Sequence, residues 1–329
     1  MTSQIYNTKN SPVVTLTRCE DYSESKISAS LQRHFELHGG IGNFLRKGDT
    51  VLIKPNFISP RRRENATQTD PAIIIELAKL LKDYGARPFV GDSPAWGNIE
   101  ACAKILNLVD PLKKLGVPIK QLNQGEICRI GKRGMPIKIS SIALDTDVII
   151  NLPKFKSHQQ LVATFAVKNI FGVVSGKKKA YWHFAKGRNH HDFCKLLIDI
   201  YKFMNPALTI IDAVTAMDGP GPIRGRARPL GWIIGGTDPV ACEMVCCKLV
   251  NINPSDIPVI STAMKTGFGC SDFDKIKILG DDFSNHICTD FQLPDLIPIR
   301  FSLFHVCKST AKQFVLLAKS NLAKKNINC

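Results

Sequence analysis

No run in the chain reaches the roughly eighteen consecutive apolar residues that a membrane span needs. The opening stretch, MTSQIYNTKNSPVV, has no apolar core region and no cleavage pattern of a secretory leader, so a soluble, cytoplasmic protein is expected. Eleven cysteines are present, yet no CxxC occurs anywhere, and the CxxCxxCxxxCP run of a bacterial ferredoxin module is missing. Without close ligand spacing, no iron–sulfur cluster is expected. The thiols, including the helical pair Cys242 and Cys246, read as reduced, small hydrophobes. The lysine-rich SGKKK stretch (175–179) lacks the GxxxxGK[ST] frame and is not a nucleotide-binding P-loop. No internal repeat and no low-complexity tract is visible, which removes solenoids and disordered linkers.

Acid is the scarcer charge. Against 44 Lys and Arg stand 28 Asp and Glu, for a net charge of +16. Such a balance implies anionic company. Much of the excess is spread over ordinary surface, which disfavours nucleic acid and leaves an anionic small molecule as the expected partner. After Asp295 there is no acid at all, while Arg300, Lys308, Lys312, Lys319, Lys324 and Lys325 follow among apolar residues. A basic helix over 300–325 could touch an anionic membrane, although its apolar stripe more often packs on its own domain. With 44% apolar and 22% charged residues over 329 positions, the chain can bury a sizeable core.

The order of elements predicts an α/β fold: a doubly wound, mostly parallel sheet with some antiparallel pieces and a basic C-terminal helical tail. DTVLIKPN (49–56) reads as a buried strand ended by proline. DPAIIIELAKLLKDYGA (70–86) is a helix with Asp70 as N-cap, Pro71 at its first position and Gly85 past its end. RPFVGDSP (87–94) is the next strand, completing a βαβ unit. A helix is expected over about 98–115, a strand at 117–122, a hairpin within 127–140, and strands within 145–154 and 207–214. A helix covers 191–203, and 230–250 reads as strand, turn and helix. The expected division is a lead-in strand and helix over 1–47, an α/β domain over 48–272, and a C-terminal extension over 273–329.

The polar residues of interest all follow apolar runs. Ligands of open α/β sheets bind beyond the carboxyl ends of the strands. Lys54 and Asn56 follow the first run, Asp92 the second, and Lys154, Lys156 and His158 the third. Asp212 follows the fourth, with Asp218 and Gly219 close behind, and Asp238 follows the fifth. The stretch NLPKFKSHQQLVATFAVKNIFG (151–172) carries four cationic or titratable groups, Lys168 among them, and no acid. Each has a plain alternative. Asp92 and Asp238 equally suit turns and helix caps, lysines are usually solvated, and a lone histidine is usually structural. Two lysines directly beyond a buried strand favour a bound anion.

In this order the motifs VLIKPN, VGDSPAWG, DTDVIINLPKFKSH, FAVKNIFG, IIDAVTAMDGPGP and IIGGTDPVACE resemble the DUF362 family over about residues 48–270. Matched positions include Lys54, Asn56, Asp92, Lys154, Lys156, His158, Lys168, Asn169, Asp212, Asp218, Gly219 and Asp238. Glu243 stands where the family pattern has aspartate. The resemblance implies no assigned activity. Many members carry a C-terminal module with two [4Fe-4S] clusters, and this chain lacks its ligand spacing. The layout is also distantly similar to the nickel-pincer lactate racemase fold, an analogy of fold alone.

Three functions are compatible with these residues. The first is an enzyme for a phosphorylated or carboxylated small molecule. In it Lys54, Asn56, Lys154, Lys156, Lys168, Asn169, Asp218 and Gly219 bind, and His158 and Asp212 do acid–base work. Asp92, Asp238 and Glu243 then hold a hard cation such as Mg²⁺. The second is a redox-partner domain serving a separate iron–sulfur protein. The third is a basic module for nucleic acid or anionic membrane. Substrate, reaction and oligomeric state are not encoded legibly.

Overall fold

The computed structural model describes residues 11–175, 182 and 189–298. The basic stretch at 300–325 and most of the expected lysine-rich loop lie outside the described residues. Twelve described strands are β1 (Val13–Arg18), β2 (Thr50–Pro55), β3 (Arg87–Asp92), β4 (Ile119–Gln121), β5 (Gly125–Ile130), β6 (Met135–Ser140), β7 (Val148–Leu152), β8 (Lys154–His158), β9 (Val162–Thr164), β10 (Leu208–Asp218), β11 (Arg226–Gly236) and β12 (Lys277–Gly280). The main sheet runs β12-β1-β11-β10-β7-β2-β3-β4, with β8 and β9 branching from β10. The pairs β10–β7, β7–β2, β2–β3 and β3–β4 are parallel. β5 and β6 form the expected separate antiparallel hairpin. β1 and β12, from the segments expected to flank the α/β domain, join the same sheet.

Alternating side chains of the parallel strands feed two cores, one on each face. Val51 and Ile53 pack with the helices Glu24–Leu37 and Pro71–Tyr84. Leu52 packs on the other face, with the helices His190–Met204 and Pro239–Leu249. Helices on both faces make the sheet doubly wound. The helix Pro71–Tyr84 begins and ends as its sequence predicts. Asp70 accepts a hydrogen bond from the Ala72 amide at 2.9 Å, and Gly85 closes the helix in the left-handed region at φ 97°. Among the described residues no helix is long and apolar enough to cross a membrane.

Two expectations are corrected. The helix expected over 98–115 is two, Ile99–Ile105 and Val109–Lys114, because Asn107 takes a left-handed conformation at φ 54°. The strand expected at the start of 230–250, before Asp238, does not point its carboxyl end with the others. β11 pairs antiparallel with β10, Ile233 opposite Asp212, so Gly236 and Asp238 lie at the opposite end of the strands. The cause is the short connection at 219–225: it is a hairpin, and a parallel partner would need a crossover of a dozen or more residues.

Candidate functional site

The ends of β2, β3 and β7, with β8 and the middle of β10, place two buried ion pairs in one crevice. Lys54 is fully buried, and its Nζ lies 2.8 Å from Asp92 Oδ1. Asp92 also accepts the Phe57 and Ser93 amides, at 2.8 and 2.7 Å. Burial lowers the Lys54 pKa, and Asp92 opposes that shift. Gly172 lies flat against this pair: a Cβ there would come within 2.4 Å of Asp92 Oδ1 and 2.5 Å of Lys54 Nζ. The second pair is Lys154 and Asp212, 2.7 Å apart. The Tyr22 hydroxyl accepts from Lys154 Nζ at 2.8 Å and donates to Asp212 Oδ1 at 2.8 Å. The Asp70 amide donates to Asp212 Oδ2 at 2.9 Å. Each carboxylate thus has a cation and at least one N–H or O–H, which is what makes a buried charge tolerable.

The other two lysines have no such partner. Residues 154–158 form a strand of their own, every residue buried, so Lys154, Lys156 and His158 share one face and Phe155 the other. Phe155 packs on Phe165 and Phe291, with ring centroids 4.6 and 5.7 Å away. Lys156 Nζ donates to Asn56 Oδ1 and, at 2.8 Å, to the Thr67 carbonyl. Both acceptors are neutral, and an ammonium has three donors. Among the described residues no carboxylate lies within ion-pair distance of Lys156 or Lys168. Burial pushes the Lys156 pKa well below the usual lysine range, and the Lys168 charge pushes it further. Half-buried Lys168 is brought down to about 8, mainly by desolvation. Thr164 sits opposite Lys156 in the β8–β9 ladder. The hydroxyls of Thr164 and Thr67 are buried without a hydrogen-bond partner.

A ladder of side-chain amides runs inward from Lys156. An ammonium only donates, so Asn56 must present its oxygen to Lys156 and its nitrogen to Asn169 Oδ1, at 2.8 Å. Asn169 then donates to the Lys54 carbonyl at 3.0 Å and to Asn151 Oδ1 at 2.8 Å. His158 Nδ1 accepts from the Gln160 amide at 3.1 Å, which leaves the proton of a neutral ring on Nε2. Opposite His158, Val162 is held at φ 62°, a strained conformation for a β-branched residue.

The remaining candidates lie elsewhere or are otherwise engaged. Asp218 is paired with Arg228 at 3.1 Å and Arg226 at 3.4 Å, and accepts the Gln292 amide. Gly219, at φ 73°, donates its amide to the Gln292 carbonyl at 2.7 Å. Both therefore anchor the segment around 290–298. The expected metal set of Asp92, Asp238 and Glu243 is not brought together. Asp238 caps the helix Pro239–Leu249 at the opposite end of the strands, accepting the Val240 and Ala241 amides. Glu243 Oε1 accepts the Val167 amide at 2.9 Å and so anchors the short helix Ala166–Asn169 that carries Lys168. Among the described residues no three His, Cys, Asp or Glu side chains are grouped to hold a metal ion.

Burial raises the Glu243 carboxyl from the ordinary 4.5 to about 8. The folded state therefore holds a proton that the unfolded chain releases near pH 4.5. Its stabilising contribution is complete below that value and falls as pH rises to about 8. In chemical denaturation, Glu243→Gln is expected to lack this decline and to gain on the wild type between pH 5 and 8. Parallel pH profiles would contradict the assignment.

Sequence reasoning missed Tyr22, Asn151, Thr67 and Gln68. Asn151 carried a signal, an amide inside the apolar run VIINL. Tyr22 carried none, since it arrives from the segment after β1. Tyr22, Gln68, Asp70 and Lys154 also line a cavity of about 340 Å³ beside the second ion pair.

A family model described as a domain of unknown function, DUF362, matches residues 51–248. The chain belongs to the DUF362 family. Within that family's matched span fall both ion pairs' Lys and Asp residues and the unpaired lysines. The thylakoid-associated protein sll1697 of Synechocystis sp. is 34% identical over 304 residues, covering 92% of this chain and 94% of that protein. Among solved structures, the lactate racemase apoprotein of Thermoanaerobacterium thermosaccharolyticum is similar at a TM-score of 0.44 and 13% identity. That likeness covers 72% of this chain and 57% of the racemase chain.

Proposed function

We propose that this DUF362 protein is an enzyme that binds a phosphorylated or carboxylated small molecule between Lys156 and Lys168. In this reading His158 transfers the proton. The carrying observation is the division of the four lysines. Asp92 neutralises Lys54 and Asp212 neutralises Lys154, while Lys156 feels the charge of Lys168 and neither has a carboxylate at ion-pair distance among the described residues. Two ammonium groups so placed are costly, and an anion of the right size would relieve both while giving the Thr67 and Thr164 hydroxyls an acceptor. His158 lies two residues along the same face, buried, with its tautomer set by the Gln160 amide. Asp212, already shared by Lys154, Tyr22 and the Asp70 amide, holds the crevice in shape.

A thermal-shift screen of phosphorylated and carboxylated metabolites, run on wild type and Lys156→Met, tests the site. Anions are expected to raise the wild-type melting temperature and to leave the variant unmoved. For a metabolite that binds and turns over, His158→Ala should keep binding and lose about 10²–10⁴-fold in rate. If both proteins respond alike to every compound, the lysines are not an anion site.

A further inference from the structure

The cavity beside Lys154 and the proposed anion site are linked by two consecutive residues. Thr67 gives its carbonyl to Lys156, and the next residue, Gln68, lines the cavity. Adjacent Cα atoms are about 3.8 Å apart, so the two places are neighbours through consecutive residues. Besides exposed Arg62 and Glu64, of opposite charge, the cavity is lined by groups whose charges are already met. Arg63 spans Asp70 through Nε at 2.6 Å and Nη2 at 2.8 Å, and Lys154 is held by Asp212 and Tyr22. The Tyr22 ring face carries Arg63 at 5.0 Å, while Lys154 lies beyond its hydroxyl. One buried polar atom of the described lining is left over. Gln68 is 4% exposed, its Nε2 is fixed on the Arg61 carbonyl at 3.0 Å, and its Oε1 is buried without a partner.

An amide oxygen can only accept, so its missing partner is a donor. Lys154 and Arg63 are already balanced by Asp212 and Asp70, and Arg62 and Glu64 add one charge of each sign, so the lining calls for no net charge from a ligand. A hydroxyl donates without bringing one. Building on the anion-site reading, we propose that this cavity is a second subsite that takes the hydroxylated body of the ligand. The substrate class is then a polyol or sugar bearing a phosphate or carboxylate, with one hydroxyl donating to Gln68 Oε1. At about 340 Å³ the space lies at the lower end of small-molecule pockets, which suits a single sugar ring better than a lipid chain.

Titration calorimetry with inorganic phosphate, methyl phosphate and ribose 5-phosphate tests this on wild type, Gln68→Met and Lys156→Met. Ribose 5-phosphate is expected to bind the wild type about tenfold more tightly than methyl phosphate, the usual worth of one well-made hydrogen bond. Gln68→Met should erase that advantage and keep the methyl phosphate affinity, which also shows the variant to be folded. If Gln68→Met does not fold, the wild-type comparison decides alone. Methyl phosphate binding that depends on Lys156, with no gain for the sugar phosphate or a gain that survives Gln68→Met, overturns the subsite and leaves the anion site standing. Binding of all three probes that ignores Lys156→Met, or no binding of any, overturns both.

Discussion

Asp212→Asn is expected to cost about 3–5 kcal/mol of folding stability, the usual penalty for leaving one partner of a buried pair uncompensated. Asp212 is fully buried and takes Lys154, the Tyr22 hydroxyl and the Asp70 amide on its two oxygens. Asparagine keeps the volume and one acceptor but offers no charge to an ammonium that is itself only 2% exposed. Urea denaturation of the variant measures the loss. The double variant Lys154→Met, Asp212→Asn should recover most of it, because the stranded charge goes with its partner. A single variant within about 1 kcal/mol of wild type would mean that water reaches Lys154 and that the crevice is wetter than its burial implies.

Lys156→Met is expected to move stability the other way. Here the wild type carries the uncompensated group, so removing it should stabilise the ligand-free protein by about 1–2 kcal/mol, a common size for substitutions at strained functional positions. The same variant should lose the response to anions. Its advantage should depend on pH with a definite sign. The folded-state pKa of Lys156 is depressed below the ordinary 10.5, so the wild type gains stability as pH climbs towards 10.5 and the gap between the two proteins narrows. Denaturation midpoints from pH 6 to 10 check this. A variant that is less stable than wild type at pH 7 would show that the bonds to Asn56 and Thr67 outweigh the desolvation of the amine.

Much of the crevice was legible because its chemistry follows a simple rule of α/β sheets. Apolar runs end where polar residues begin, and parallel neighbours put those ends side by side. Lys54, Asp92 and Lys154 were placed by that rule. Asp212 was named as following its strand, but β10 runs on for six more residues, and the carboxylate sits in mid-strand opposite Lys154. Which aspartate serves which lysine depends on sheet order, which no single sequence displays. Asp238 shows the rule failing. The Gly-Pro segment before β11 reads as a binding loop, but as a hairpin it reverses the next strand and carries Asp238 to the other end of the strands. Tyr22 closes the crevice from a distant segment, and nothing in its local sequence marks it out.

The two-sidedness of β8 has a consequence for how the site is specified. Phe155 alternates with Lys154 and Lys156, and its ring is gripped by Phe165 and Phe291. Were the strand to slip by one residue against its neighbours, Phe155 would face the crevice and the ammonium groups would enter the aromatic cluster. Neither exchange is tolerable, so the three rings act as a detent that locks the strand in one position. The arrangement of charge facing a ligand is therefore dictated from behind, by hydrocarbon that the ligand never meets.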